Sequence, residues 1–372
     1  MTLGKVGVVA TAQTELRPIW GNAQHIDLIS SVVGAVFKGT GLTLDDVDFI
    51  IDSGSDVLDG RSISNCGFLG ALGAHHKEEA RVEEDGLWAA LYGVNKIRSG
   101  ASSIGLLVAY SKPSESQPDL FWNSQLEPFY QRPVGFGQRA ANGMQAQRYL
   151  AANRLSGRDL AELVVQRWQA ASDNDRVLVD HLPDVDEVMA AGEGAAPLTE
   201  LMFSRPVDGA VAVLIAREDI AHRTSRNPVF ITGMGAAMDT HSFAEREVGR
   251  LASAANAAAM AYRNAGWSGA DADIAEISAS SAVGELLAIE ALGLADAGKG
   301  IATALGGKVT VNRSGGALPA DPIMATGLVR LAEAVQQLGL PELHGGGNPS
   351  RAIVHGAGGV GMQNNCVFTL EV

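Results

Sequence analysis

The chain contains itself twice, and that repetition limits its fold more than any single motif. The tract AVFKGTGLTLDDVDFIIDSGS, Ala35 to Ser55, is answered by AYRNAGWSGADADIAEISAS, Ala261 to Ser280. Gly41, Asp46 and Asp48 fall on Gly266, Asp271 and Asp273, all with an offset of 225. Val229 to Gly235 copies an opening strand at Lys5 to Thr11. MATGLVRLAEAVQQLG, Met324 to Gly339, answers the helix that starts at Gly86-Leu87, and Arg351 to His355 answers Leu106 to Tyr110. Each half thus reads as strand, helix, strand, helix, strand. Buried strands alternating with helices call for a mostly parallel or mixed sheet covered on both faces. A pseudo-twofold between the halves would bring the helices at Gly86 and Gly327 together in the centre.

The repetition is interrupted once. Residues 111–206 are richer in polar residues, Pro and Arg, and hold amphipathic helices at Gly157 to Ala171 and Gly137 to Asn153. They read as a cap inserted between regular elements. The expected organisation is a first half over 1–227 carrying the 111–206 insertion, and a second half over 228–372. A length of 372 residues suits two or more units of roughly 100–200 residues each.

The first central helix lies in Val82 to Gly100, VEEDGLWAALYGVNKIRSG. Glu83, Glu84 and Asp85 precede it. Leu87, Trp88, Ala89, Ala90, Leu91, Tyr92 and Val94 leave no polar face in two turns, so burial on all sides is expected. Lys96, Arg98 and Gly100 suit its C-terminal end. Acids at the N-terminus of a buried helix meet free N–H donors and positive potential. They either cap the helix, Asp85 first among them, or form part of a site.

Composition excludes several functions. Net charge is −14, and no basic run interleaves with aromatics, which argues against nucleic acid and against anionic lipid. Cys66 and Cys366 are far apart and form no CxxC, so neither a metal site nor a disulfide framework is expected. The N-terminus has no basic leader and no uncharged apolar run reaches ~18 residues, so a cytoplasmic protein without a membrane span is expected.

Gly356-Ala357-Gly358-Gly359-Val360-Gly361 satisfies GxGxxG after a strand. Only MQNNCVFTLEV follows, which reads as a closing strand, so no dinucleotide-binding βαβ unit can form. A glycine turn giving backbone access to a site is the better reading. His355 ends the strand before this loop and is either a core histidine or part of the site. Asp321, in NRSGGALPADPIMATG, caps the second central helix or faces the first. Ser278, Ser280 and Ser281 follow a strand, without a GxSxG elbow. His75 and His76 are expected to be exposed.

Four motifs occur in the order of the thiolase superfamily: RPVDGAVAVLI (Arg205 to Ile215), DIAEISASSAVGELLAIEALGL (Asp273 to Leu294), VNRSGGALPADPIMATGL (Val311 to Leu328) and VHGAGGVG (Val354 to Gly361). With the duplication, the chain resembles that superfamily over essentially its whole length, and most of all the sterol carrier protein X-type thiolases and thiolase-like lipid-transfer proteins. The resemblance implies a duplicated five-layer α-β-α-β-α fold, with two mixed sheets around central buried helices. It implies a CoA thioester as substrate, with CoA entering as part of it and no other cofactor. The insertion would help bind CoA, with Gly315, Gly316, Gly358 and Gly359 as binding glycines. It also implies a homodimer through the edge strand of the first half, for which Ile104 to Tyr110 is a suitable apolar candidate. A small zinc-ribbon/OB-fold protein or an active thiolase paralogue would be a possible further partner.

The family's catalytic residues do not transfer. The nucleophilic cysteine, three residues before a glycine at the first central helix, becomes Glu83 or Glu84. Gly-His-Pro becomes Ala320-Asp321-Pro322, and a His-Asp pair becomes Ser278-Ala279. His355 matches a family histidine. Thiolysis through a covalent acyl-cysteine is therefore not expected. The candidate catalytic groups are Asp321, His355, Glu84, Asp85 and Ser278. Two readings follow. One is an acid–base lyase that cleaves a 3-hydroxyacyl-CoA (or a 3-ketoacyl-CoA) in lipid or steroid side-chain degradation. The other is a non-catalytic subunit of a heteromeric acyl-CoA thiolase or aldolase complex.

Overall fold

The computed structural model describes residues 4–225, 227–339 and 348–372. The strands of the first half are β1 (Val6–Gln13), β2 (Phe49–Ser53), β3 (Glu78–Val82) and β4 (Ile104–Ser111). A short hairpin of β5 (Glu193–Ala195) and β6 (Leu198–Thr199) lies in the insertion, and β7 (Gly209–Arg217) resumes the sheet. The second half supplies β8 (Val229–Met238), β9 (Ile274–Ile277), β10 (Thr310–Val311), β11 (Arg351–Gly358) and β12 (Asn364–Glu371).

Ten strands form one hydrogen-bonded sheet, ordered β10-β9-β11-β12-β8-β1-β7-β4-β2-β3. Read outward from its centre, the order is the same in both directions. On each side the inner two pairings are antiparallel and the outer two parallel. Among the described residues, the mixed halves join only where Val6–Val8 of β1 pairs with Val229–Ile231 of β8. β2 and β9, the strands closing the repeated tracts, hold equivalent places in the two halves.

Helices cover the halves and separate them. The helix His25–Val36 buries Leu28, Ile29, Val32 and Val33 against the first half, together with Ile50, Leu106 and Leu214. The helix Ala252–Ala265 runs so close to β8 that a Cβ on Gly235 would lie 2.0 Å from the Ala257 carbonyl oxygen. Between the halves lie the two central helices, Gly86–Arg98 and Thr326–Gly339. Their Leu87, Ala90, Val94, Leu328, Leu331 and Ala332 share one core with Ile51, Val213, Val354 and Phe368 from both halves of the sheet. These helices touch at Gly86, where a Cβ would come within 2.6 Å of Leu328 Cβ. The layers are helix, one half of the sheet, helix, the other half, helix.

Two expectations are corrected. Ile104–Ser111 is not an edge strand but lies inside the sheet between β2 and β7, fully buried. The edge is Glu78–Val82, whose sequence EEARV is polar because one side of an edge strand meets water. The first central helix is also not buried on all sides. Tyr92 is 45% exposed and Asn95 is exposed, so one stripe faces out. As expected, no helix follows the glycine loop at 356–361, and β12 closes the sheet. No helix among the described residues is long and apolar enough to cross a membrane.

Candidate active site

The N-termini of the two central helices meet at the floor of a cleft of about 510 Å³. Asp85 joins them. Its Oδ1 accepts the Leu87 N–H of its own helix at 3.0 Å, and its Oδ2 accepts the Gly327 N–H of the other helix at 2.8 Å. The tie is reciprocal, because Gly86 donates its N–H to the Met324 carbonyl at 2.8 Å. The Ser53 hydroxyl lies between the carbonyls of Glu84 and Met324. Gly327 and Gly356 leave room for the carboxylate, since a Cβ on either would approach Asp85 Oδ1 to 2.0 or 2.8 Å. Burial pushes the Asp85 carboxyl up to about 7 against the pull of its two N–H donors, with Glu84 and Asp321 adding like charge. Asp85 is thus a cap for two helices.

Glu84 points into the cleft wall. Asn364 Nδ2 donates to its Oε2 at 2.9 Å, and its Oε1 faces Gly358, where a Cβ would lie 2.2 Å away. Burial raises its carboxyl above the ordinary value, partly offset by Asn364. Asp321 accepts hydroxyl protons at both oxygens, from Ser204 at 2.6 Å and from Thr326 at 2.5 Å. It does not cap the second central helix, since Asp85 does. Burial raises its carboxyl as well. Glu83 lines the cleft too, but pairs with Arg81 Nε at 2.9 Å on the first half's edge strand.

The remaining candidates separate. Ser278 lines the cleft, with its Oγ buried and without a hydrogen-bond partner among the described residues. Ser280 also lines the cleft and bonds Asn142, whereas Ser281 caps the helix Ala282–Ala291 through the Gly284 N–H. His355 lies beneath the cleft rather than in its wall. It is fully buried, its Nε2 is 2.8 Å from Asn365 Oδ1, and desolvation lowers its pKa to about 4, so the ring is neutral near pH 7. Gly358 and Gly359 line the cleft. Gly315 and Gly316 do not: they sit tightly against Ala171 and Asn312, with positive φ values of 101° and 69°. His75 and His76 are exposed.

Several lining residues escaped the sequence reading. Asn364 was hidden in a closing strand, although its pairing in NN was a polar signal beside a glycine turn. Phe121 and Trp122 were overlooked in the insertion, although adjacent aromatics stand out in a chain that is 5% aromatic. Met324 and Met362 both line the cleft at positive φ (74° and 58°), where non-glycine residues carry strain that gathers at functional sites. No cysteine lines the cleft. Cys366 is buried behind it on β12, its thiol pushed well up by burial and by the nearby acids. Buried acids with raised pKa values serve as proton acceptors near neutral pH.

Residues 235–370 match the family model described as thiolase C-terminal domain-like. An acetyl-CoA acetyltransferase of Methanothermobacter thermautotrophicus is 27% identical over 353 residues, 90% of each chain. The benzoylsuccinyl-CoA thiolase subunit BbsB of Thauera aromatica is 27% identical over 203 residues, 52% of this chain and 53% of that one. Among solved structures, the Ltp2-ChsH2(DUF35) aldolase superposes with a TM-score of 0.84 at 17% identity, over 100% of this chain and 99% of that chain, a likeness of fold. With the duplicated halves and the paired central helices, these matches place the chain in the thiolase superfamily.

Proposed function

We propose that the chain acts on CoA thioesters and cleaves the C2–C3 bond of a 3-hydroxyacyl-CoA by acid–base chemistry, with Glu84 as the base. The observation that carries this reading is the division of labour among three neighbouring acids. Asp85 gives both oxygens to helix N–H groups and Asp321 gives both to hydroxyls. Glu84 lines the cleft, gives one oxygen to Asn364 and turns the other towards the bare backbone of Gly358. Its raised pKa makes it a stronger base than an ordinary carboxylate. That one solved neighbour of the same fold is an aldolase supports the same reading.

In the step, Glu84 takes the proton of the 3-hydroxyl. The O–H electron pair becomes the new C=O bond, the C2–C3 bond breaks, and its pair moves onto the thioester as an enolate. The unpartnered Ser278 hydroxyl donates to the enolate oxygen. C2 then takes a proton, giving the shortened acyl-CoA, and the C3 fragment leaves as an aldehyde or ketone. No oxidant and no covalent enzyme adduct is needed.

A second reading is a thiolase-like subunit that supports an active partner. It is favoured by the structural use of Asp85 and the burial of His355, and by the word "subunit" in the name of one relative. Incubating the purified chain, alone and with proteins that co-purify with it, with 3-hydroxyacyl-CoA separates the two. The lyase reading requires equal amounts of carbonyl product and shortened acyl-CoA, lost in Glu84→Gln. No cleavage under any pairing, with CoA-ester binding intact, leaves the subunit reading.

A further inference from the structure

The cleft is not polar throughout. Phe121, Ile323 and Met324 pack with Leu58 into a small apolar cluster separate from the main cores, and Trp122 packs on it with its ring 4.8 Å from Phe121. Phe121, Trp122, Ile323 and Met324 all line the cleft, and Val57, 49% exposed, extends the same surface. This wall begins at the acids. Ile323 and Met324 lie between Asp321 and Thr326, and the Met324 carbonyl holds the Gly86 N–H two residues from Glu84. The apolar surface therefore adjoins the reacting carbons. Phe121 and Trp122 come from the insertion, Val57 from the short helix Asp56–Asp59 after β2, and Ile323 and Met324 from the second half. Three separate segments thus converge on apolar groups that a protein could have replaced with polar ones beside a charged site.

We infer that this wall receives the C3 substituent of the substrate and selects 3-hydroxyacyl-CoA thioesters whose C3 carries a large apolar group. Trp122 is the specificity-determining residue. The inference rests on the lyase reading. A methyl at C3 leaves the indole and Val57 facing water. A cyclohexyl or branched group covers them and gains the transfer free energy of the buried area. The carbonyl fragment released is then a bulky aldehyde or ketone, not acetaldehyde.

The test uses 3-hydroxybutyryl-CoA, 3-hydroxy-3-cyclohexylpropanoyl-CoA and free CoA, with binding read by calorimetry and cleavage read separately. The full chain is expected to bind the ring thioester about ten-fold or more tightly than the methyl thioester. In Trp122→Ala that ratio falls towards one, and Trp122→Phe restores most of it. Phe121→Leu serves as a second, milder variant. A wild-type ratio near one overturns the inference, and so does a ratio unchanged in folded Trp122→Ala. Equal weakening of free CoA and of the ring thioester overturns it too, because the wall would then hold CoA itself. Absence of cleavage with either thioester defeats the lyase reading instead, and the binding ratio still decides whether the wall selects bulk.

Discussion

Asp85 accepts the Gly327 N–H at 2.8 Å across 242 positions of sequence, so an acid of the first half caps the helix of the second. That one contact fixes where two helix N-termini meet, and hence where the cleft floor lies.

Replacing Gly327 with alanine is the sharpest test of this tie. The added Cβ would lie 2.0 Å from Asp85 Oδ1 and 2.9 Å from Leu87 Cβ, so the carboxylate must leave. Forcing extra volume into a packed site costs about 1–3 kcal/mol, and the displaced cap adds about 1 kcal/mol. Urea denaturation should show Gly327→Ala destabilised by that order. An unchanged midpoint would mean that Asp85 is not held there.

The pH dependence of stability carries a definite sign. The Asp85 carboxyl rises from 3.8 to about 7 on folding, so the folded chain holds this proton more tightly than the unfolded chain. Its contribution is fully present below pH 3.8 and is lost as pH rises through about 7. Asp85→Asn has no such titration. The stability of wild type relative to Asp85→Asn should therefore fall between pH 4 and pH 8. A difference that is flat or rising across that window contradicts the assignment.

Gly358→Ala separates chemistry from folding. Its Cβ would lie 2.2 Å from Glu84 Oε1 and would turn the proposed base away from the cleft, and Asp85 is not among the atoms it would meet first. The turnover number should drop by about 10²-fold or more, with a smaller stability loss than Gly327→Ala. Equal damage to stability in both variants would remove the distinction between Glu84 as base and Asp85 as cap.

The rate should also titrate as a raised carboxylate and not as a histidine. The proposed base Glu84 would have to be ionised, so on the lyase reading kcat/KM climbs with pH through a value above the ordinary 4.5. His355 is held near 4, so His355→Gln should leave the position of that acid limb unmoved. An inflection near 6.5 that disappears in His355→Gln would show that the histidine carries the proton.

The fold was legible because the repeated tracts kept their strand and helix spacing, and because Gly86 and Gly327 stay small where two helices touch. β3 was not legible, since Glu78, Glu79 and Arg81 belong to an edge whose polarity mimics a loop. Tyr92 looked like core on apolarity alone, yet faces outward. The acid cluster could be read as a site or as caps. Only the fold divided it, because the partner of Asp85 lies on the other half of the chain. The burial of His355 under the cleft and the apolar wall around Trp122 depend on contacts between distant segments, which carry no local pattern.

The central claim is that the cleft breaks a C–C bond through an enolate with Glu84 as base, and cleavage in deuterium oxide tests it most directly. Mass spectrometry of the shortened acyl-CoA should show one deuterium at C2, formed in equal amount with the carbonyl product and absent in Glu84→Gln. Cleavage that consumes free CoA, or that persists in Glu84→Gln with the same deuterium content, would contradict it.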